Sequence, residues 1–166
     1  MKYISIIFFL ITFFSCKNEE NLNISKLNNI DYRFKIETSR DTFHINEFVK
    51  AIASLETPFF VKENSKIIVI IESDENTPLK NDLSNEYEIS IEAFHNLSVD
   101  SINQKWFEGY DFNKSSAFGK KFNSPGVKKI RGYVMEYITD EPQLDSIYDK
   151  NKVMKYYFEK DVIIID

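Results

Sequence analysis

From Ile30 to Glu37 apolar and charged residues alternate without error, as Ile30-Asp31-Tyr32-Arg33-Phe34-Lys35-Ile36-Glu37. Side chains on an extended chain point to opposite faces in turn, so this period predicts a half-buried strand with Ile30, Tyr32, Phe34 and Ile36 inward. Thr38-Ser39-Arg40-Asp41 reads as a turn, Thr42-Phe43-His44-Ile45 as a short strand and Asn46-Glu47 as a tight connection. Val49, Ala51, Ala53 and Leu55 then share one face of a third strand, with Phe48 and Ile52 on the other. A helix over residues 46–55 is the rival reading. Lys66-Ile67-Ile68-Val69-Ile70-Ile71-Glu72 is a β-branched run, the mark of a strand covered on both faces.

Residues 73–86 read as a long polar loop, followed by a second clean alternation in which Tyr87, Ile89, Ile91 and Ala93 face inward. Asn123-Ser124-Pro125-Gly126 places Pro and Gly at the central positions of a type II turn. It feeds a strand over 127–138 with Ile130, Gly132, Val134, Glu136 and Ile138 on one face. Gly132 inside that strand predicts a bulge or a close backbone approach. Residues 139–151 are polar, and 153–166 predict one or two strands broken near Lys160-Asp161. Seven to nine short strands with little helical periodicity predict an all-β, antiparallel sandwich over residues 30–166. The segment Ser124–Val134 resembles the turn and penultimate strand of bacterial immunoglobulin-like domains, which implies that architecture. One cysteine cannot supply the inter-sheet disulfide of antibody domains.

The N-terminal pattern is different. Lys2 precedes an apolar run from Tyr3 to Phe14, which ends in Ser15 and Cys16, the only cysteine. The run is short for a membrane span and has the layout of a secretory signal over residues 1–15. Ser15-Cys16 resembles the lipobox of bacterial lipoproteins, which implies acylation of Cys16 and attachment to a membrane through lipid. The rival readings are an ordinary signal peptide and an uncleaved anchor. Lys17-Asn18-Glu19-Glu20 resembles the surface-export signal of Bacteroidota lipoproteins, implying an outer-membrane address with Lys17, Glu19 and Glu20 as the signal. Residues 16–29 otherwise read as lipidated cysteine and polar tether.

Composition narrows the function. There are 21 basic and 26 acidic residues, and the signal segment holds only Lys2 among them, so the mature chain is acidic. That balance argues against a nucleic-acid partner. His44 and His95, the only histidines, have no carboxylate or second ligand at a defined spacing and read as surface residues. No Gly-x-Ser-x-Gly elbow or His-Glu-x-x-His occurs, and no cofactor motif is present. Two acidic loops, Asp74-Glu75-Asn76 with Asp82 and Glu86, and Asp140-Glu141 with Asp145 and Asp149, lack the glycine of a compact calcium loop and read as solvated, without metal. Asp100-Ser101-Ile102 and Asp145-Ser146-Ile147 resemble the O-glycosylation sequon of exported Bacteroidota proteins, which makes Ser101 and Ser146 candidate modification sites.

The densest aromatic stretch is Trp106-Phe107-Glu108-Gly109-Tyr110-Asp111-Phe112. On an extended chain Trp106, Tyr110 and Phe112 share a face. Buried, they form a wall of the core, the favoured reading; exposed, they suit a protein or glycan partner. The sequence as a whole predicts a non-enzymatic, membrane-anchored envelope lipoprotein acting as an accessory or binding module. The alternatives are an assembly subunit of a secretion, adhesion or gliding machine and, less favoured, a small glycan-active or hydrolytic enzyme.

Overall fold

The computed structural model describes residues 33–99, 104–138 and 152–166. The signal and tether expectations, with Cys16, Lys17, Glu19, Glu20 and the two candidate serines Ser101 and Ser146, lie outside the described residues. So does the acidic loop at 140–149. Eight strands are described: β1 (Phe34–Thr38), β2 (Thr42–His44), β3 (Phe48–Leu55), β4 (Lys66–Glu72), β5 (Ile91–His95), β6 (Ser115–Lys121), β7 (Gly126–Tyr137) and β8 (Val153–Ile165). They form two sheets, ordered β1-β3-β6 and β2-β8-β7-β4-β5. The chain is an all-β sandwich. Its strand order is immunoglobulin-like: β1, β3 and β6 stand as strands A, B and E, while β8, β7, β4 and β5 stand as G, F, C and C′. The first strand is split between the sheets. β1 pairs antiparallel with β3, whereas β2 runs parallel to β8, with Phe43 opposite Ile164. The expectation of a wholly antiparallel sandwich is corrected at that one pair.

The alternations at β1 to β3 become the inner faces. Val49, Ala51, Ala53 and Leu55 are buried, and they meet Ile67, Val69 and Ile71 of β4 and Ile130 and Val134 of β7 across the sandwich. Within 46–55 the chain is strand from Phe48, not helix, after a turn in which Asn46 takes a left-handed φ of 62°. The β-branched run of β4 is covered on both faces, because Ile68 and Ile70 join a second cluster with Tyr133, Met135, Tyr137, Leu79 and Leu83. Gly132 is a close approach: a Cβ there would lie 2.3 Å from the Ile70 carbonyl oxygen, and the pairing with Ile71 stays in register.

Two expectations are corrected. The second alternation is a strand only from Ile91 to His95, and Tyr87 is exposed. Residues 80–90 fold instead as successive turns. Leu83 sits at φ 58°, the Asn85 side chain bonds Lys80 N–H and the Pro78 carbonyl, and Glu86 pairs with Lys155 at 2.7 Å. The last strand is unbroken through Lys160-Asp161, since β7 pairs with it over its whole length from Gly126–Ile164 to Tyr137–Val153. A long paired partner removes the need for a turn at a polar dipeptide.

Candidate functional site

Two sets of polar groups stand out, one internal and one open. The internal set begins with two carboxylates, Glu72 and Glu136, both fully buried. Glu136 accepts hydrogen bonds from Phe59 N–H (2.9 Å), Phe60 N–H (3.3 Å), the Ser65 hydroxyl (2.6 Å) and the Tyr156 hydroxyl (3.1 Å). Lys114 Nζ donates to the Ser65 carbonyl and hydroxyl oxygens. Burial pushes the Lys114 amine below the usual lysine range, and burial beside Glu136 pushes the Tyr156 phenol well above the usual tyrosine range. A serine, a lysine of lowered pKa and a carboxylate are the parts of a hydrolase. Ser65 has no exposed surface, however, so no substrate reaches its hydroxyl. The cluster fastens the 56–65 segment to β7 and β8.

Glu72 is enclosed in the same way. It accepts from Leu79 N–H (2.8 Å) and Arg131 (3.1 Å) and lies 3.5 Å from Lys120, whose Nζ also donates to the Glu72 carbonyl at 2.8 Å. Burial outweighs the carboxylate and lowers the Lys120 amine below its ordinary value. Arg131 reaches on to Glu159 at 3.2 Å, and the Lys129 ammonium bonded to Glu159 holds that carboxyl below the usual range. These charges satisfy one another and the backbone, as buried charges must.

The open set lies on the outer face of β1-β3-β6. Phe48, Lys50 and Ile52 alternate with the core positions of β3 and face away from the sandwich. The segment 104–114 folds over them. It opens with a 3₁₀ turn, Gln104–Trp106, and continues in turns closed by Phe107 N–H to the Gln104 carbonyl (2.9 Å) and Tyr110 N–H to the Phe107 carbonyl (3.1 Å). Two adjoining cavities result. The larger, about 730 Å³, is lined by Phe48, Ile52, Glu92, Phe94, Phe107 and Tyr110 among others. The smaller, about 550 Å³, includes His95, Asn96, Val99 and Trp106. Lys50, Phe107 and Ala117 line both, so the two adjoin as one groove.

The aromatic stretch therefore differs from its favoured reading. Turns replace the extended chain, and Trp106 is 73% exposed at the mouth of the smaller cavity, with Lys105 Nζ 5.2 Å from its ring centre. Tyr110 is half-buried against Phe107, ring centres 6.4 Å apart, and lines the larger cavity. Phe112 is half-buried and lines neither. Trp106 and Tyr110 belong to one groove without sharing a face. Lys50, Phe94 and Phe48 were not singled out by sequence reasoning as site residues. The legible signal was the apolar and basic face of β3 opposite Val49 and Ala51.

His44 is exposed, its Nδ1 2.7 Å from the Asp166 main-chain oxygen, while His95 lines the smaller cavity. In the first acidic loop Asp74 accepts from Asn76, Asp82 from Ser84 N–H, Glu75 pairs with Lys128 and Glu86 with Lys155. Among the described residues no three metal-ligating side chains come together, and no helix is long and apolar enough to cross a membrane. Comparison with known proteins gives no match: no protein-family model, curated protein or solved structure is similar to this chain.

Proposed function

We propose that this chain is a non-enzymatic binding module, anchored through a lipid on Cys16 to the outer membrane and facing outward on a short tether. Its groove under Phe107 takes a segment of a partner protein. The carrying observation is the contrast in hydrogen bonding between the two sets of charges. Glu72 and Glu136 have every oxygen engaged inside the fold, whereas Lys50 has no carboxylate partner among the described residues and stands in an aromatic groove open to solvent. Pockets with a few polar groups on apolar walls are the usual form of a binding site. A protein segment is favoured over a glycan because the walls are mainly phenylalanine rings, of which Phe94 and Phe107 are half-buried and Phe118 is buried, so the groove presents more apolar surface than polar-tipped aromatic surface.

The experiment is a peptide-display selection run beside a glycan array on the purified chain. Enrichment of apolar peptides is expected, with binding lost in Phe107→Ala and reduced in Trp106→Ala while both variants keep the unmodified unfolding midpoint. Glycans bound and no peptide enriched would overturn the protein-partner reading. The anchor is tested separately: Cys16→Ala should abolish palmitate labelling and release the chain from membranes. Replacing Lys17, Glu19 and Glu20 by Ala should protect it from protease added to intact cells.

A further inference from the structure

The groove runs along a strand edge, and that edge is open. In the β3–β6 ladder Leu55 N–H bonds the Lys114 carbonyl at 2.8 Å. Antiparallel pairs alternate between residues that face each other's backbone and residues that face away. With Leu55 opposite Lys114, the backbone groups of Ser116, Phe118 and Lys120 point at β3, and those of Ser115, Ala117, Gly119 and Lys121 point outward. Ser115 is accounted for, since its carbonyl accepts from Leu97 N–H at 2.8 Å. Beyond it β5 and β6 diverge. The outward N–H and C=O groups of Ala117, Gly119 and Lys121 have no partner among the described residues. In the four-stranded sheet of a constant-type immunoglobulin domain another strand lies on this edge. Here the described residues between β5 and β6, 96–99 and 104–114, hold no such strand, and Ala117 and Gly119 line the larger cavity instead.

We propose that β6 takes up an extended segment of a partner protein as an added strand, which bonds the outward backbone groups of Ala117, Gly119 and Lys121 and sets an acidic side chain against Lys50. This deepens the binding-module reading and rests on it. Main-chain pairing would supply the affinity and side-chain pockets the selectivity, as in other strand additions. The register states the chemistry of the segment. Lys50 lies across from Gly119 on the outer face. Gly119 puts no side chain of its own between Lys50 and an added strand, so a carboxylate at the residue opposite Gly119 can reach the ammonium; strands lie about 4.8 Å apart. The residues on either side of that carboxylate turn inward, towards Phe94 and Phe118, whose ring centres are 6.2 Å apart. The next outward residue, beside Ala117, meets Phe107. The recognised pattern is an acidic residue with apolar residues flanking it, in an extended chain.

The probe is a synthetic peptide that alternates valine with serine and carries one central aspartate, added to the full chain in detergent micelles. Amide exchange by NMR reads the edge. On binding, the Ala117, Gly119 and Lys121 amides should slow by about tenfold or more, and methylating the alternate peptide nitrogens that face β6 should weaken binding by about tenfold, since each lost bond removes a modest but additive part of the affinity. Exchanging the aspartate for lysine should weaken binding about threefold, with Lys50→Glu reversing the preference. A peptide that binds equally well when methylated, leaving the three amides unprotected, overturns strand addition and leaves the groove reading standing. No binding by this peptide or by any displayed peptide overturns both. Protection of the same amides that rises with protein concentration, without peptide, would mean that a second copy of this chain occupies the edge, which also overturns the proposal.

Discussion

The two sheets of this sandwich are finished to different degrees. The five-stranded sheet is covered on both faces across β4 and the adjoining half of β7: the core lies on one side, and Leu79 and Leu83 from the 73–90 segment close the other over Ile68, Ile70 and Tyr133, while Val127 and Ile163 towards β8 stay exposed. Its buried carboxylates are saturated with donors. The three-stranded sheet packs only its inner face. On its outer face Phe48 is 51% exposed, Lys50 has no carboxylate partner among the described residues, and an aromatic segment arches over the strands without filling the space. Burial and saturation produce stability, because an unmet buried charge or hydrogen-bonding group costs several kcal/mol (about 1–3 for a neutral group and more for an ion). Unmet groups at the surface cost little, since water satisfies them, and they remain available to a ligand. The closed sheet is therefore where substitutions should unfold the protein, and the open one where they should alter binding alone.

The sharpest way to break that division is Glu136→Leu. Four donors, from Phe59, Phe60, Ser65 and Tyr156, would lose their acceptor, and Lys114 would lose the nearby anion that offsets its burial. Breaking a buried charged network by removing one member costs about 3–5 kcal/mol. A fall of that size in unfolding free energy, read from the urea midpoint at constant slope, is the expected outcome. A loss below about 1 kcal/mol, within the range of ordinary surface substitutions, would show that Glu136 is not the fastening of the 56–65 segment.

Gly132→Ala ranks next. The added Cβ would meet the Ile70 carbonyl oxygen at 2.3 Å and Ile71 atoms at 3.0 and 3.1 Å, and the nearest of these is backbone of the adjacent strand. One of the two central strands must move, at a cost of about 2–3 kcal/mol, the upper range for overpacking. The same urea experiment reads it. A neutral result would mean that the β4–β7 pair can slide apart freely, which the burial on both its faces opposes.

How much of this difference could be read in the sequence depends on whether the deciding contacts are local. Alternation at 48–55 and the β-branched run at 66–72 state which faces are buried, because period two ties each residue to a side of its own strand. The close approach at Gly132 was likewise legible from glycine within a strand. Tyr87 to Ala93 shows the limit. The same alternation describes a strand or a chain of turns, and the choice fell to contacts that the period does not encode: Lys155, far along the chain, for Glu86, and the Pro78 and Lys80 backbone, seven and five residues back, for Asn85. The split of the first strand and the parallel β2–β8 pair also depend on the far end of the chain. The groove was half legible. The residues of its wall and roof, Trp106 and Tyr110, stood out by composition. Its floor, Lys50 and Phe48, was visible only as the second face of β3, and the convergence of Phe94 with Phe118 required the fold.

The smallest expected effect is the most discriminating. Gly119 of β6 is the counterpart of Gly132 on the open sheet, and its missing side chain points outward into the groove. A Cβ there would lie 3.1 Å from the Val49 carbonyl oxygen and 3.3 Å from Cδ1 of Phe48. The contact is tight: the half-exposed Phe48 ring has room to swing away, the Val49 carbonyl must give slightly, and replacing glycine reduces the freedom of the unfolded chain, worth about 0.4–1 kcal/mol in favour of folding. The two effects oppose each other, so Gly119→Ala should change the unfolding free energy by less than about 1 kcal/mol. The same methyl group stands between Lys50 and anything laid along β6, so it should weaken capture of the acidic probe peptide while the midpoint holds. If Gly119→Ala instead destabilises as much as Gly132→Ala, the outer face of the small sheet is packed as closely as the large one, and the division between a closed and an open sheet fails.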